Sequence, residues 1–451
     1  MRAWSRLGVD PNLLLVAAWS LISLGAGQKF GTYTPRAIVM TTVGMGALTV
    51  AIVLLRRARP RAPGRSRLVL ATVVAVFAAQ LTVAGQHSHG TPEAWAHGLL
   101  LAAAISVFLL AAAPEAPGWL DISSIVLATG AGIAGIVASP RPSIDDWHMM
   151  QGASHALLHF QNIYGRTWPG SVGHQFPYLP VAAILVAPFH AVFGDVRFGL
   201  LAALVLAAAA VRRLGDRRAT AVVACLILLL PRGLYGIEQS WPEPLLLALL
   251  AGTVWAVRAR RTGLAVVLFT AALATKQTAL LALPVAAVWP SFGWRRALTA
   301  LGAAGLVLAA WFVAAPRAFV EDTISYNLHL RPRADSLSLF TSAMRAGFKP
   351  SFTVVPVLMV VCVGLAMWKA PRTMAGFVLG TAWLLGMLNL FNKQSFFNEW
   401  SLVGGLLVVG MAAMGLPEAD HSPQGALVSG GLWASVTARV VAFGQSSRRP
   451  A

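Results

Sequence analysis

Two carboxylates, Asp145 and Asp146, stand side by side just after an apolar run, near the start of the longest polar-rich stretch of the chain, residues 139–194. A carboxylate at an aqueous boundary can act as general base on a hydroxyl group. Adjacent carboxylates repel, and successive helical positions point about 100° apart, so one of the pair is expected to face a site and the other a structural partner. Residue types leave open which is which. The plainer alternative is that the pair only caps a helix, with Ser143 or Asp145 at the N-cap.

His155 and His159 stand four apart, the spacing that sets two metal ligands on one helical face. No acidic residue follows the first of them as a metalloprotease requires, and histidines on a polar helix face give the same pattern. No cofactor is assigned, and a divalent metal on this pair stays as the alternative. Lys276 lies at the junction of two apolar runs, where an ionised lysine must snorkel to water or bind an anion. Other polar groups collect in three segments: Glu238, Gln239 and Glu243 around Trp241; His329, Arg331, Arg333 and Asp335; and Lys393, Gln394, Asn398 and Glu399. Taken singly, each also fits a solvated loop.

The elements that must hold these residues follow from composition. With 57% hydrophobic and 11% charged residues and a mean hydropathy of +0.69, the chain is no soluble globule, in which about a quarter of residues are charged. The expected fold is all-α, a polytopic integral membrane protein with about fourteen transmembrane helices. Apolar runs fall at 12–28, 37–55, 68–85, 96–113 and 121–138, then at 196–211, 219–231, 243–257, 263–275, 277–290, 297–315, 351–368, 373–391 and 401–416. Cys225 and Cys362 lie inside such runs as small hydrophobes. The first run lacks a convincing small-residue cleavage site and reads as a retained helix. The net charge of +19 does not imply nucleic acid. Arginines cluster at 56–67, 212–218, 258–261 and 295–296, between apolar runs, where the positive-inside rule makes the loops cytoplasmic and membrane lipids are sufficient partners.

Counting crossings places the loops. If the chain starts inside, five spans bring Ser139 outside, and the Arg212 cluster must lie inside again, so an odd number of crossings separates them. Two apolar runs are available, 178–194 and 196–211. The first contains Pro180, Pro188 and His190 and is assigned to the outer interface, the second to the crossing. Both termini are then cytoplasmic, and loops 139–195, 231–242, 316–350 and 392–400 face outward. In the first loop Trp147, Met150, Leu157 and Phe160 recur every three or four residues, away from His148, Gln151, His155 and His159, which predicts an amphipathic interfacial helix over 146–160.

The pattern IDDWHMMQGASHALLHFQNIYG, followed by FPYLPVAAILVAPFHAVFGDVRFGLLAAL, resembles the GT-C superfamily of polytopic glycosyltransferases, especially the bacterial polyprenyl-phosphate-mannose-dependent alpha-mannosyltransferase-like branch. In that branch an acidic residue follows the first helix of the module, then an Asn-Pro-Tyr element and a Tyr-x-Pro stretch. Asp145 and Asp146, Asn162 with Tyr164, and Tyr178 with Pro180 stand at the matching places, with Ile163 where proline is usual. LATKQTALLALP around Lys276 and the segments around Glu238 and Lys393 are similar too. The resemblance covers residues 120–416, which divides the chain into a four-helix N-terminal membrane extension (1–119), a catalytic transmembrane module (120–416) with the outer loop 139–195, and a cytoplasmic tail (417–451). The tail stretch GLWASVTARVVAFGQSSRRPA reads as a short amphipathic helix.

The resemblance implies transfer of a hexose, mannose in that branch, from a polyprenyl-phosphate sugar donor to an extracytoplasmic glycan, glycolipid or protein acceptor, with inversion at the anomeric carbon. It implies a cell-membrane location with the site on the outer face. Asp145 or Asp146 would be the base. Lys276, Arg331, Arg333 and Lys393 would hold the donor phosphate, on which charge develops. His148, Tyr164, Tyr178, Glu238, Gln239, Glu243, His329 and Gln394 would meet sugar or acceptor. Two other classes stay open. A multi-pass transporter or flippase of lipid-linked or small polar substrates has against it the scarcity of mid-membrane charge and the lack of an internal repeat. A non-catalytic membrane scaffold is the other.

Overall fold

The computed structural model describes residues 10–56, 86–113, 115–168, 175–215 and 218–416, with residues 64, 68, 70, 72 and 75. All but single residues of the expected span 68–85, most of the basic cluster 56–67, and the expected tail helix lie outside the described residues. No β-strand occurs among the described residues. The helices are α1 Pro11–Gly27, α2 Pro35–Leu55, α3 Thr91–Ala112, α4 Trp119–Ala138, α5 Asp145–Leu158, α6 Pro180–Phe193, α7 Arg197–Arg212, α8 Arg218–Leu228, α9 Gly233–Glu238 and α10 Glu243–Arg258. They continue as α11 Thr262–Leu273, α12 Ala282–Val288, α13 Gly293–Ala314, α14 Pro316–Val320, α15 Tyr326–His329, α16 Leu339–Arg345, α17 Val354–Lys369, α18 Met374–Phe391 and α19 Phe397–Ala413.

Six spans among the described residues, α1 continued through the turn to Gly31, α2 to α4, α13 and α18, are long and apolar enough to cross a membrane, and the pair α6–α7, bent by 118°, makes a seventh if it counts as one span. The described residues are therefore all-helical and consistent with a multi-pass membrane protein. The other expected crossings within the described residues fall on shorter helices: α8 has 11 residues, α11 12, α10 and α17 16 each and α19 17, and the run 277–290 falls on the 3-10 turn Gln277–Leu281 and the seven-residue α12. α13 and α17 turn Leu306, Val313 and Val360 outward, each more than 70% exposed, as hydrocarbon-facing helices do. α18 and α19 are buried nearly end to end. Gly405 lets α19 approach so closely that Leu247 of α10 fills the space a Cβ would take, the small-residue packing of membrane helices. α1 and α2 close on the same pair, and the Trp383 indole donates to Thr49 Oγ1 at 2.8 Å.

α4 and α7 are antiparallel and pinned at both ends. At one end Arg212 pairs with Asp121 at 2.6 Å. At the other the fully buried Arg197 grips Asp195 through Nε and Nη2 and donates from Nη1 to Ser139 Oγ at 2.9 Å. α5 and α6 thus connect two antiparallel helices at the end where the acidic pair sits. Gln151 fastens α5 to the α6–α7 corner, donating to the Gly194 carbonyl at 2.9 Å and accepting from the Val196 N–H at 3.1 Å.

α5 departs in two details from its sequence pattern. Ile144, not Ser143 or Asp145, stands at its N-cap and offers no side-chain hydrogen bond, so the acidic pair opens the first turn instead of capping it. The apolar face is Met149, Met150, Ala153 and Ala156, and Phe160 is not on it. The helix stops at Leu158, and Phe160 adopts a left-handed φ of 54° and is wholly exposed. A short polar run to Asn162 breaks the period before a further turn can form.

Two more local features matter below. Between α11 and the 3-10 turn Gln277–Leu281 the chain straightens at Lys276 (φ −150°, ψ 139°). After α1, Lys29, Phe30 and Gly31 take φ of 41°, 58° and 73° in succession. For a residue with a side chain this conformation costs about 1–2 kcal/mol.

Candidate active site

Asp146 projects from the first turn of α5 into a polar seam between loops. Tyr178, in the extended stretch before α6, donates its hydroxyl to Asp146 Oδ1 at 2.5 Å, and the Trp241 indole N–H donates to Oδ2 at 2.9 Å. Burial, and next the neighbouring Asp145 charge, push the Asp146 carboxyl up to about 7, while the Tyr178 and Trp241 hydrogen bonds pull it down and Glu243 adds to the rise. Burial and the surrounding carboxylates raise the Tyr178 phenol well above its ordinary range, so it stays a donor. Tyr326, opening α15, is pushed up to about 12 by burial and then by the charges of Asp145 and Asp146.

Next to this carboxylate lies a cation. Lys276 Nζ pairs with Glu243 Oε1 and stands 4.0 Å from Glu399 Oε1, and it lies 5.7 Å from the centre of the Tyr178 ring. Burial alone would lower the lysine, but Glu243 and Glu399 outweigh it and hold the ammonium above the ordinary lysine range. Each partner opens a helix. Glu243 starts α10 directly after Pro242, and Asn398 and Glu399 sit in the first turn of α19, where acids suit the helix dipole. Asn398 Nδ2 donates to Glu243 Oε1 at 2.9 Å, and Glu399 accepts the Phe396 N–H at 2.9 Å. Glu243 Oε2 is buried with no hydrogen-bond donor among the described residues. A cavity of about 30 Å³ lies between Trp241, Glu243, Asn398 and Ser401, room for water and not for a sugar.

A second tier holds the first. The carbonyls of Ala274 and Thr275, past the end of α11, accept from Val181 and Leu179, which sets Tyr178 against Lys276. Tyr164 donates its hydroxyl to the Tyr178 carbonyl at 3.1 Å, and Gln277 donates to the carbonyls of Pro177 and Thr323. Asp322, 1% exposed in a π-helical turn over Glu321–Ser325, accepts the Gly165 N–H at 2.8 Å. Burial pushes its carboxyl up to about 6, against the pull of that hydrogen bond. Sequence reasoning passed Asp322 over, although Glu321–Asp322 repeats the adjacent-acid signal of Asp145–Asp146 in another loop assigned outward.

Of the residues singled out by sequence, Asp145, Asp146, Tyr178, Trp241, Glu243, Lys276, Asn398 and Glu399 come together, and Tyr164 supports them. Others are engaged elsewhere. Glu238 is buried and accepts from the N–H groups of Gln86 and His87 and from Ser88 Oγ, and Gln239 donates to it at 3.3 Å. His148 packs its ring edge-on to Trp147, and His329 Nδ1 bonds the Ser325 carbonyl. The loops 331–338 and 392–395 are zipped together by the bonds of Leu337 N to Ser395 O and Ser395 N to Ser336 Oγ, both 2.7 Å. In that zip Arg333 pairs with Asp335 at 2.7 Å, Gln394 donates to the Arg331 carbonyl, and Lys393 donates to the Leu328 carbonyl. His155 and His159 stack with ring centres 4.3 Å apart, and His159 Nδ1 bonds the His155 carbonyl. Among the described residues no group of three or more His, Cys, Asp or Glu is arranged to hold a metal ion.

The arrangement offers a carboxylate that titrates near neutral pH beside a lysine held in its charged form: a base for a hydroxyl proton and a cation for an oxyanion. In comparisons with known proteins the chain matches no family model, no curated sequence and no solved structure.

Proposed function

We propose that the protein is a membrane glycosyltransferase that moves a hexose, mannose by resemblance, from a polyprenyl-phosphate sugar to an extracytoplasmic acceptor. The observation that carries this reading is Asp146, gripped by Tyr178 and Trp241 and tuned to about 7, beside the cationic Lys276. A general base works best with an ionisation near the working pH. Asp146, not Asp145, is the base in this reading. It takes the proton of the acceptor hydroxyl as that oxygen bonds to the anomeric carbon. The bond from that carbon to the phosphate oxygen breaks on the opposite face, so configuration inverts, and polyprenyl phosphate leaves with both bond electrons. Lys276 stabilises the growing negative charge, while Arg331, Arg333 and Lys393 guide the phosphate from the zipped loops. The termini are then cytoplasmic, the site faces outward in the cell membrane, and the acceptor is a glycan, glycolipid or protein.

One observation favours a second reading. The chain is broken between α11 and the 3-10 turn at the buried Lys276–Glu243 pair, and ion-coupled carriers place ionisable groups at such breaks. A transporter or flippase is therefore the competing class. The purified protein in nanodiscs, given radiolabelled polyprenyl-phosphate mannose and a membrane-lipid extract, separates the two. A labelled product of inverted configuration is the expected result. Translocation of the labelled lipid in sealed vesicles with no glycosyl product from any polyprenyl-phosphate hexose would favour the carrier.

A further inference from the structure

The N-terminal hairpin has no part in the chemistry above, yet its turn holds two consecutive non-glycine residues in the left-handed region. Lys29 and Phe30 both hold left-handed φ, and such residues persist only where their surroundings over-determine them. Arg232, itself left-handed at φ 57°, supplies part of that constraint. Its guanidinium lies 4.0 Å from the Phe30 ring centre, and its Nε donates to the Gly27 carbonyl at 2.5 Å. Gly31 supplies the rest, because a Cβ there would collide with Cβ and backbone of Phe397, the first residue of α19.

From this turn a run of ring contacts leads to the acid. Phe30 meets Tyr235 edge-on at 5.1 Å between centres, Tyr235 meets Trp241 at 5.4 Å and Phe397 at 5.5 Å, and Trp241 lies 6.1 Å from Phe397. Trp241 then donates to Asp146. Edge-to-face rings transmit displacement because each is locked by its neighbours.

We infer that the Gln28–Gly31 turn is a positioning element of the acid site: it sets the Tyr235–Phe397 platform that holds the Trp241 indole on Asp146. The inference rests on Asp146 as the acid of the site, not on what is transferred there. Besides Trp241, the groups facing Asp146 are Asp145, Tyr178, Glu243, Tyr326 and Lys276. Loss of the indole bond removes a donor that favours the charged carboxylate, so disturbing the turn moves the ionisation of Asp146 to higher pH.

The test reads that ionisation without any transfer assay. Thermal unfolding in detergent is followed against pH for each protein and for the same protein carrying Asp146→Asn, and the midpoint of the difference reports Asp146. Gly31→Ala and the milder Phe30→Leu are expected to raise the midpoint by roughly half a pH unit or more, as Trp241→Phe does, and to add nothing when combined with Trp241→Phe. If Gly31→Ala does not fold, Phe30→Leu carries the test. A midpoint unchanged in the turn variants, an unmoved midpoint in Trp241→Phe, or full additivity with it would each overturn the inference. The expected shift in a protein without transfer activity would keep the inference and put the reaction in doubt.

Discussion

The Asp146 carboxyl is set by opposing effects of named groups, and each makes a prediction of definite sign. Asp145 raises it as a like charge, whereas the Tyr178 hydroxyl lowers it by hydrogen bonding. The base form is the charged one, so transfer should rise with pH through about 7. Asp145→Asn should move that limb to lower pH, and Tyr178→Phe should move it to higher pH, both read from kcat/KM profiles. The same ionisation affects stability. The folded carboxyl titrates near 7 against 3.8 for an ordinary aspartate, so its favourable protonation is complete below about 4 and lost as pH rises through 7. Asp146→Asn should therefore melt higher than wild type at pH 8, by roughly 2–4 kcal/mol in stability, with the difference vanishing near pH 4. Both acids, Glu243 and Lys276 stood out as ionisable groups at the edges of apolar runs, and Tyr178 through its place in the Tyr-x-Pro stretch of the resemblance. Which acid matters stayed open, because neighbours in sequence differ in burial only once loops from three other regions close over one of them. Asp322 was missed for the same reason, since its environment comes from the Gly165 loop and not from its own segment.

At the scale of elements, the site depends on α5 being held at the end of the α4–α7 pair. Arg197 is fully buried and binds Asp195, Ser139 and the Ile136 carbonyl. Arg197→Ala should cost roughly 2–4 kcal/mol, because it removes a fully buried side chain and leaves the partly exposed Asp195 without its partner. Chemical unfolding in detergent checks this. The helices α1 to α4, α7, α13 and α18 were legible as long apolar runs, and so was α5 as an amphipathic helix. The odd-crossing argument expected 196–211 to cross alone; α7 packs antiparallel to α4, and it reaches the length of a span only together with α6, across a bend of 118°. Less legible were the lengths of α8, α11 and α12, which look like spans by composition but are cut short by the turn at Leu230–Gly233 and the break at Lys276. Helix ends such as Phe160 depend on local left-handed residues that periodicity does not report.

At the scale of the molecule, α18 and α19 form the buried centre and α13 and α17 the outer ring, while the polar seam gathers the starts of α5, α10 and α19 with the break before α12. In the proposed topology that seam lies outside the cell. A cysteine at the fully exposed position 160 should react with a membrane-impermeant maleimide on intact cells, and one replacing the exposed Arg260 only after permeabilisation. The buried Cys225 and Cys362 keep the background low. The reverse labelling would invert the topology and remove the extracytoplasmic acceptor from consideration. The most direct measurement of the central claim is sugar transfer from radiolabelled polyprenyl-phosphate mannose by wild type and by folded Asp146→Asn side by side. The account predicts a loss on the order of 10²–10⁴-fold, the contribution of a general base, with Asp145→Asn retaining most of the wild-type rate at pH 8. Wild-type transfer by Asp146→Asn would contradict it.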